Sequence, residues 1–177
     1  DSLSRGEMLA AAQIEDIRHY LISYVPGFKD SYLAKTAPFL GIRETRRIVG
    51  EYVITREDIL GCRRFGDAVA VGSYPIDLHR PHDEGCTLQW CGDCYDIPYR
   101  SLLPTNIDNV LVAGRCISAT HEAHAALRVM STCMAMGQAA GTAAGLAFTG
   151  GIQPVSVDVR TLQRELLSGE AYLRGIE

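Results

Sequence analysis

The most informative hydrophobic pattern of the chain lies between residues 109 and 148. Val110 to Ala113 is a short apolar run, which is typical of a strand buried on both faces of a parallel sheet. A loop rich in titratable side chains follows, and a helix built largely from Ala and Gly is predicted to begin at Ser131 or Thr132. Open parallel sheets bind ligands at the carboxyl ends of their strands, and the N–H groups at a helix N-terminus favour an anionic atom. The pattern therefore predicts a ligand site between this strand and this helix.

The remaining periodicity predicts a mixture of helices and strands. Apolar residues at helical spacing indicate helices, and apolar residues that alternate with polar ones indicate strands. The predicted elements are a helix over residues 4–24, a strand over 44–55, a short helix capped by Thr55 and Asp58, a strand over 67–73 and a last helix capped by Asp158. Residues 74–78 are predicted to form a turn, and residues 79–95 a loop or a small ligand-bound excursion.

The composition is that of an ordinary globular protein, since 47% of the 177 residues are hydrophobic and 21% are charged. The formal charge of -4 argues against a nucleic-acid partner, because binding to phosphates requires a basic face. Residues 132–148 are the one candidate for a membrane span, but they are mostly weakly hydrophobic Ala and Gly, whereas a span needs about 20 strongly apolar residues. We expect no nucleic-acid partner, no membrane partner and a cytoplasmic location.

Four blocks of sequence carry a family resemblance. They are GIRETRRIVGEYVITREDI (41–59), SYPIDLH (73–79), YDIPYRSLLP (95–104) and NVLVAGRCISATHEAHAALRVMSTCMAMGQAAGTAAGLA (109–147). The last block resembles the C-terminal flavin-contacting segment of the FAD-dependent oxidoreductases that are related in fold to fumarate reductase flavoproteins. The other three resemble, in family order, the substrate-domain strands and the return crossing into the FAD domain.

The resemblance implies an α/β fold, or α+β for this stretch alone. It would consist of a partial FAD-binding Rossmann-like domain joined to part of a β-rich substrate domain. Residues 1–103 would belong to the substrate or cap domain, residues 104–150 would supply the last strand and the flavin-facing helix, and residues 151–177 would form a helical tail. The implied activity is transfer of hydride between a small-molecule substrate and FAD.

The resemblance also implies which residues meet the FAD cofactor. The residues after the predicted strand would contact its ribityl or phosphate part, and the first turn of the helix would face its pyrimidine edge. Reduced flavin carries negative charge at that edge, which a helix N-terminus stabilises. Glycines at positions 137, 141 and 145 give the helix one face with almost no side chain. The implied FAD contacts are Ala113, Gly114, Arg115, Ser118, Thr132, Cys133, Met134 and Gly137.

The titratable side chains of the loop are candidates for the chemistry. A histidine with a pKa near neutrality moves a proton, and an arginine binds a carboxylate or polarises a carbonyl group. We predict that His121 and Arg128 lie beside the isoalloxazine, with Arg46 from the substrate domain as a third catalytic candidate. His124 is interpreted as an ordinary loop histidine, and Glu122 as a partner of Arg128 or of a backbone N–H.

No predicted strand in the sequence is followed by G-x-G-x-x-G, the turn that holds the pyrophosphate of an adenine dinucleotide. Half of the implied cofactor site is therefore absent from these residues. We predict either that an N-terminal FAD-binding half, on the same polypeptide or on a companion chain, completes the site, or that the chain self-associates through the exposed strand. Alone, the chain is expected to be inactive.

A second hypothesis concerns the histidines and cysteines between residues 79 and 94. Cys86, Cys91 and Cys94 have the spacing of the first three ligands of a plant-type ferredoxin, and His79 and His82 with the last two cysteines would suit tetrahedral zinc. The ferredoxin pattern needs a distant fourth cysteine, so unligated cysteines and a His79 that lines the substrate pocket are the favoured interpretation. A third hypothesis is a non-catalytic interaction module, because these residues cannot hold the ADP half of FAD.

Overall fold

The computed structural model describes residues 2–79 and 85–176. The chain divides into two compact units, Asp1–Arg43 and Glu44–Glu177. The second unit contains most of the regular structure and all of the candidate site described below. The predicted domains 1–103, 104–150 and 151–177 stay a prediction.

The first unit is built on helix α1, Ser2–Tyr24. The helix begins two residues before Ser4, where it was predicted to start. The Glu7 carboxylate accepts the backbone N–H of Leu40 at 2.7 Å. None of the α1 residues is buried, although apolar residues recur along the helix at helical spacing.

Two helices of the second unit begin where their capping residues predict. In α2, Arg56–Leu60, the Thr55 side chain accepts the N–H of Asp58 while the Asp58 carboxylate accepts the N–H of Thr55. In α5, Val159–Ser168, Asp158 accepts the N–H of Thr161 at 2.8 Å. Both predicted caps are confirmed, because a cap depends only on residues within one turn.

Two antiparallel hairpin-like pairs replace the predicted parallel sheet among the described residues. Strand β1, Ala68–Gly72, pairs with β4, Tyr95–Pro98, and β2, Ile76–His79, pairs with β3, Cys86–Gln89. Glycine is required at position 72, because a Cβ there would lie 2.7 Å from Cζ of the buried Tyr95 ring. The prediction of a turn over 74–78 and a loop over 79–95 is wrong for residues 76–79 and 86–89, which form β2 and β3, while residues 80–84 lie outside the described residues. Cross-strand pairing gives residues 76–79 and 86–89 a regular structure that their composition does not reveal.

Two predicted strands do not form. Residues 44–55 are held by isolated bridges, Gly50 to Pro104 and Ile54 to Ala119. Residues 110–113 form no strand, and the N–H of Val112 is donated to the carbonyl of Leu102 at 2.9 Å. A strand exists only where a neighbouring strand pairs with it, so an apolar or alternating pattern is not sufficient.

The core of the second unit lies between helix α4, Met130–Gly150, and the β1–β4 pair, with α5 packed beside them. One face of α4 is buried; it consists of Thr132, Met136, Ala139, Ala143 and Ala147. Helix α4 ends at Gly151, which adopts a left-handed conformation with φ 61°. The fold is a mixture of helices and small sheets, as expected for an α/β or α+β part of an FAD-binding domain. Within the described residues, no helix has both the length and the apolar character needed to cross a membrane.

Candidate flavin site

The N-terminal end of α4 opens onto a cleft. Ser131 and Thr132 line this cleft together with the end of β1, the turn that follows it, and Trp90. The cleft has a volume of about 420 Å³, within the range of roughly 300–1,000 Å³ that small-molecule sites occupy. Val129 occupies the N-cap position of the helix, and its side chain accepts no hydrogen bond from the N–H groups of the first turn. The end of the helix is therefore available to an anionic atom, as predicted.

The helix tip is exposed rather than sealed in the core. Met130 is 77% exposed and Met134 is 74% exposed, although Thr132 between them is buried. Cys133 points back toward the helix that precedes α4, with its thiol 3.8 Å from the carbonyl of Leu127. Burial raises the pKa of the Cys133 thiol, so it stays protonated and uncharged near neutral pH.

The glycine face of α4 is bare. Gly137, Gly141 and Gly145 are exposed, and no described residue lies within 4 Å of a Cβ built on any of them. The opposite face of the same helix is buried in the core. The predicted small-residue face therefore exists, and it leaves room for a group outside the described residues to approach the helix backbone closely.

A tight turn joins the extended residues 110–113 to the candidate site. Gly114 has φ +78°, a conformation that favours glycine, and it begins a single 3₁₀ turn that ends at Cys116. The Arg115 guanidinium donates to the carbonyl of Arg128 at 3.3 Å. Ser118, predicted to contact FAD, is fully buried, and its hydroxyl accepts the N–H of Gly50 at 2.9 Å. Its geometry gives Ser118 a structural function, and nothing in it favours the predicted FAD contact.

The predicted polar loop contains a helix. Helix α3, His121–Leu127, is capped by Thr120, whose side chain accepts the N–H of Ala123. His121 is the first residue of α3, and Arg128 follows its last residue. Seven residues of helix separate them by about 10 Å along the axis. The two catalytic candidates therefore face different parts of any one ligand.

Glu44 is the centre of a charged cluster at the start of α3. Its carboxylate lies 2.9 Å from Nδ1 of His121 and 3.5 Å from Nδ1 of His124, and it also contacts the guanidinium of Arg47. A carboxylate only accepts hydrogen bonds, so His121 donates from Nδ1 and keeps Nε2 as an acceptor. His121 is largely exposed, which leaves that acceptor accessible. The cluster thus contains a histidine oriented to take up a proton.

His124 is a buried structural residue rather than an ordinary loop histidine. Its ring is fully buried, and Nε2 donates to the carbonyl of Arg115 at 2.9 Å. Among the described residues, Nδ1 has no hydrogen-bond partner. Because Nε2 carries the proton, the lone pair of Nδ1 faces the lone pairs of the nearby Glu44 oxygen. Burial lowers the pKa of His124, and the positive charges of Arg47 and Arg128 lower it further, so the ring is neutral at neutral pH.

The buried His124 predicts a pH dependence of stability. Its pKa is lower in the folded chain than in the unfolded chain, where it is about 6.5. The unfolded chain binds more protons between these two pKa values, so the free energy of unfolding decreases as the pH falls below about 6.5. We expect the thermal midpoint to fall between pH of about 7.5 and about 5.5, and the variant His124→Gln to show a shallower decrease.

His19→Gln is the matched control for this measurement, because His19 is exposed on α1. It is expected to reproduce the slope of the wild type. An equal slope for His124→Gln and the wild type would show that the buried imidazole does not contribute.

The other candidates are placed as follows. Arg128 is partly buried and donates to the carbonyl of Asp77 at 3.0 Å. Arg46 is exposed, and its catalytic role stays a prediction. Glu122 lies 3.7 Å from the guanidinium of Arg56, so the expected pairing with Arg128 is replaced by this contact.

Sequence reasoning missed two parts of the site. Glu44 is separated from His121 by 77 residues, and nothing in its local pattern predicts the contact. The end of β1 and Trp90 form walls of the cleft. Their positions depend on the pairing of the β-strands, which was not predicted. By contrast, Ser131 lines the cleft beside Thr132 and was indicated by the predicted helix start.

The residues present fit a flavin cofactor. An uncapped helix N-terminus meets a cleft of suitable volume. The glycines of the same helix leave a bare face, and any residue larger than glycine would fill that space.

The model of the FAD dependent oxidoreductase family matches residues 2–166. The chain belongs to this family, and its cofactor is FAD. No curated protein and no solved structure matches the chain significantly.

Proposed function

We propose that the chain is the C-terminal part of a flavin-dependent oxidoreductase with a fold like that of the fumarate reductase flavoproteins, acting on a small-molecule substrate. The observation that carries the proposal is the open N-terminus of α4 at the cleft, where Ser131 and Thr132 meet the end of β1. Because the chain belongs to the FAD dependent oxidoreductase family, we infer that this geometry serves flavin redox chemistry.

The chain's own residues bind and orient the cofactor. Ala113, Gly114 and Arg115 would hold its ribityl or phosphate part, because the glycine turn leaves the backbone open there and Arg115 supplies a positive charge. The first turn of α4 would hold the anionic pyrimidine edge, with Thr132, Cys133 and Met134 along it. FAD, when bound, supplies the capacity to accept or release a hydride.

His121 and Arg128 would serve the substrate. Glu44 fixes the tautomer of His121, so that Nε2 is available to accept a proton from the substrate and later return it. Arg128 would bind a carboxylate or a developing negative charge, and its donation to the Asp77 carbonyl holds it beside β2. Arg46 is a third candidate, which the exposed position of its side chain leaves accessible.

The proposal includes a partner. The bare glycine face and the exposed helix tip would be covered by an FAD-binding half that carries the G-x-G-x-x-G turn, on the same polypeptide or on a companion chain. By itself the chain would be inactive, because its sequence lacks the G-x-G-x-x-G turn that holds the pyrophosphate.

Absorbance and fluorescence test the proposal together. Trp90 is the single tryptophan and lines the cleft, so bound flavin is expected to quench its emission. Protein purified with its dinucleotide-binding half should show flavin absorption bands and weak Trp90 emission. The chain alone should show no flavin bands and unquenched Trp90 emission. Flavin bands without quenching would contradict the placement of the cofactor at the cleft, and the absence of flavin bands in both samples would favour a non-catalytic interaction module.

A further inference from the structure

The β2–β3 hairpin brings together three side chains that bind metals. Asp77 and His79 are two residues apart on β2, so they lie on the same face of the hairpin. Cys86 on β3 is the direct cross-strand partner of His79. In an antiparallel pair, directly opposed residues project to the same face, so all three side chains share it.

The distances between these side chains are close to those of a metal site. The Cys86 thiol donates to Oδ1 of Asp77 at 2.5 Å, and Nε2 of His79 lies 3.3 Å from Oδ2 of Asp77. One ligand atom from each residue lies within 4.8 Å of the other two. Ligand atoms around a tetrahedral zinc are about 3.5 Å apart, as the Zn–S, Zn–N and Zn–O bond lengths require. Rotation of the His79 and Cys86 side chains, which are exposed, would close the difference.

The donor set selects the kind of metal. A thiolate, an imidazole and a carboxylate together favour Zn²⁺ over Mg²⁺ or Ca²⁺, which prefer oxygen ligands alone. The thiolate and the carboxylate carry two negative charges, so they neutralise one divalent ion. The guanidinium of Arg128 donates a hydrogen bond to the Asp77 carbonyl and places a positive charge nearby. Because the thiolate and the carboxylate neutralise the bound ion, this positive charge repels the ion less than it would repel a cation without such ligands.

The cysteines that the sequence pattern placed with Cys86 do not join it. Cys91 is buried and its thiol donates to the carbonyl of Asp93 at 2.7 Å, while the thiol of Cys62 donates to the carbonyl of Cys91. Within residues 2–79 and 85–176, Asp77, His79 and Cys86 are the group of three close ligands. His82 lies outside the described residues.

We propose that Asp77, His79 and Cys86 bind one Zn²⁺ ion on the exposed face of the β2–β3 hairpin. The ion replaces the proton of the Cys86 thiol, which is released to solvent on binding, and water occupies the fourth position. The site ties the two strands together next to Arg128. It does not depend on the proposed flavin chemistry.

Cobalt titration tests the site in the purified, reduced chain freed of metal. We expect one Co²⁺ per chain, with visible bands of tetrahedral intensity and a thiolate-to-cobalt charge-transfer band, both lost on addition of Zn²⁺. Cys86→Ser is expected to remove the charge-transfer band and to weaken binding by more than about tenfold, since even second-shell partners cost that much. Zn²⁺ should raise the thermal midpoint of the wild type and leave that of Cys86→Ser unchanged.

Two further variants keep the result decisive. Cys116→Ser removes an exposed cysteine outside the hairpin and should bind Co²⁺ like the wild type. Cys94→Ser should do the same, because Cys94 is not one of the three ligands. A charge-transfer band that survives in Cys86→Ser, or that disappears in Cys94→Ser, would overturn the proposal, as would weak octahedral spectra in the wild type.

Discussion

Replacement of Gly141 by leucine is expected to weaken FAD binding to the assembled protein by roughly 10- to 100-fold while leaving the chain itself folded. No described residue lies within 4 Å of a Cβ at this position, so the isolated chain has space for the larger side chain. Glycine is about 0.8–1 kcal/mol less favourable than alanine in a helix, and leucine is among the best helix formers, so the helix itself is expected to gain stability. In the assembled protein the side chain would occupy the space where a ring or backbone approaches the helix.

The measurement is a fluorescence titration with FAD, using the emission of Trp90, on protein purified with its dinucleotide-binding half. Ser168→Leu is the matched control, because Ser168 is exposed on α5 and lies outside the glycine face. Gly141→Ala should weaken binding less than Gly141→Leu, since it adds only one carbon. Equal affinities for Gly141→Leu and the wild type would show that the bare face of α4 approaches neither the cofactor nor its binding half.

The elements predicted correctly from sequence are those fixed by local chemistry. The capping box of Thr55 and Asp58 and the Asp158 cap both involve residues within one helical turn. Their hydrogen bonds form wherever the helix forms, so the sequence contains all the information they need. The bare face of α4 was predictable for the same reason, because the spacing of Gly137, Gly141 and Gly145 places them on one side of any helix.

The elements predicted wrongly depend on distant partners. Residues 110–113 have the apolar character of a buried strand, but no strand among the described residues pairs with them. The β2–β3 hairpin shows the opposite error: a polar, cysteine-containing segment was interpreted as a loop, although its register pairs Ile76 with Gln89 and His79 with Cys86. Composition alone does not reveal such pairing, because the stabilising contacts run between strands.

The same limit applied to the candidate site. The sequence predicted the ligand-facing helix start and the catalytic candidate His121, which depend on one contiguous block. It gave no indication of Glu44, because a carboxylate and a histidine 77 residues apart meet only after the chain folds. The orientation of the candidate proton-transferring group therefore required the structure, whereas its chemical type did not.

Removal of the Asp96 carboxylate in Asp96→Ala is expected to lower the free energy of unfolding by about 3–5 kcal/mol, because it leaves a buried charge without its partner. Asp96 on β4 is buried, and its Oδ1 accepts a hydrogen bond from Nε of Arg174 at 2.9 Å. Its other oxygen accepts the N–H of Phe65 at 3.0 Å. The pair thus fixes the segment after α5 to the sheet.

The Asp96–Arg174 pair also supports the cleft. Strand β4 pairs with β1, whose end forms one wall of the cleft beside Ser131. Loosening of β4 in Asp96→Ala should therefore reduce FAD affinity as well as stability. A residue in the predicted C-terminal tail, Arg174, would then contribute to the site without touching the cofactor.

Urea unfolding measures the stability effect, and a second acidic partner of Arg174 provides the control. Asp93 lies 3.6 Å from the same guanidinium but is 73% exposed, so Asp93→Asn is expected to cost less than about 1 kcal/mol. The double variant Asp96→Ala with Arg174→Leu should recover part of the loss, since it removes the unpaired buried charge along with its former partner. If Asp96→Ala costs no more than Asp93→Asn, the buried pair does not hold this segment, and the sheet beside the cleft is stabilised by packing alone.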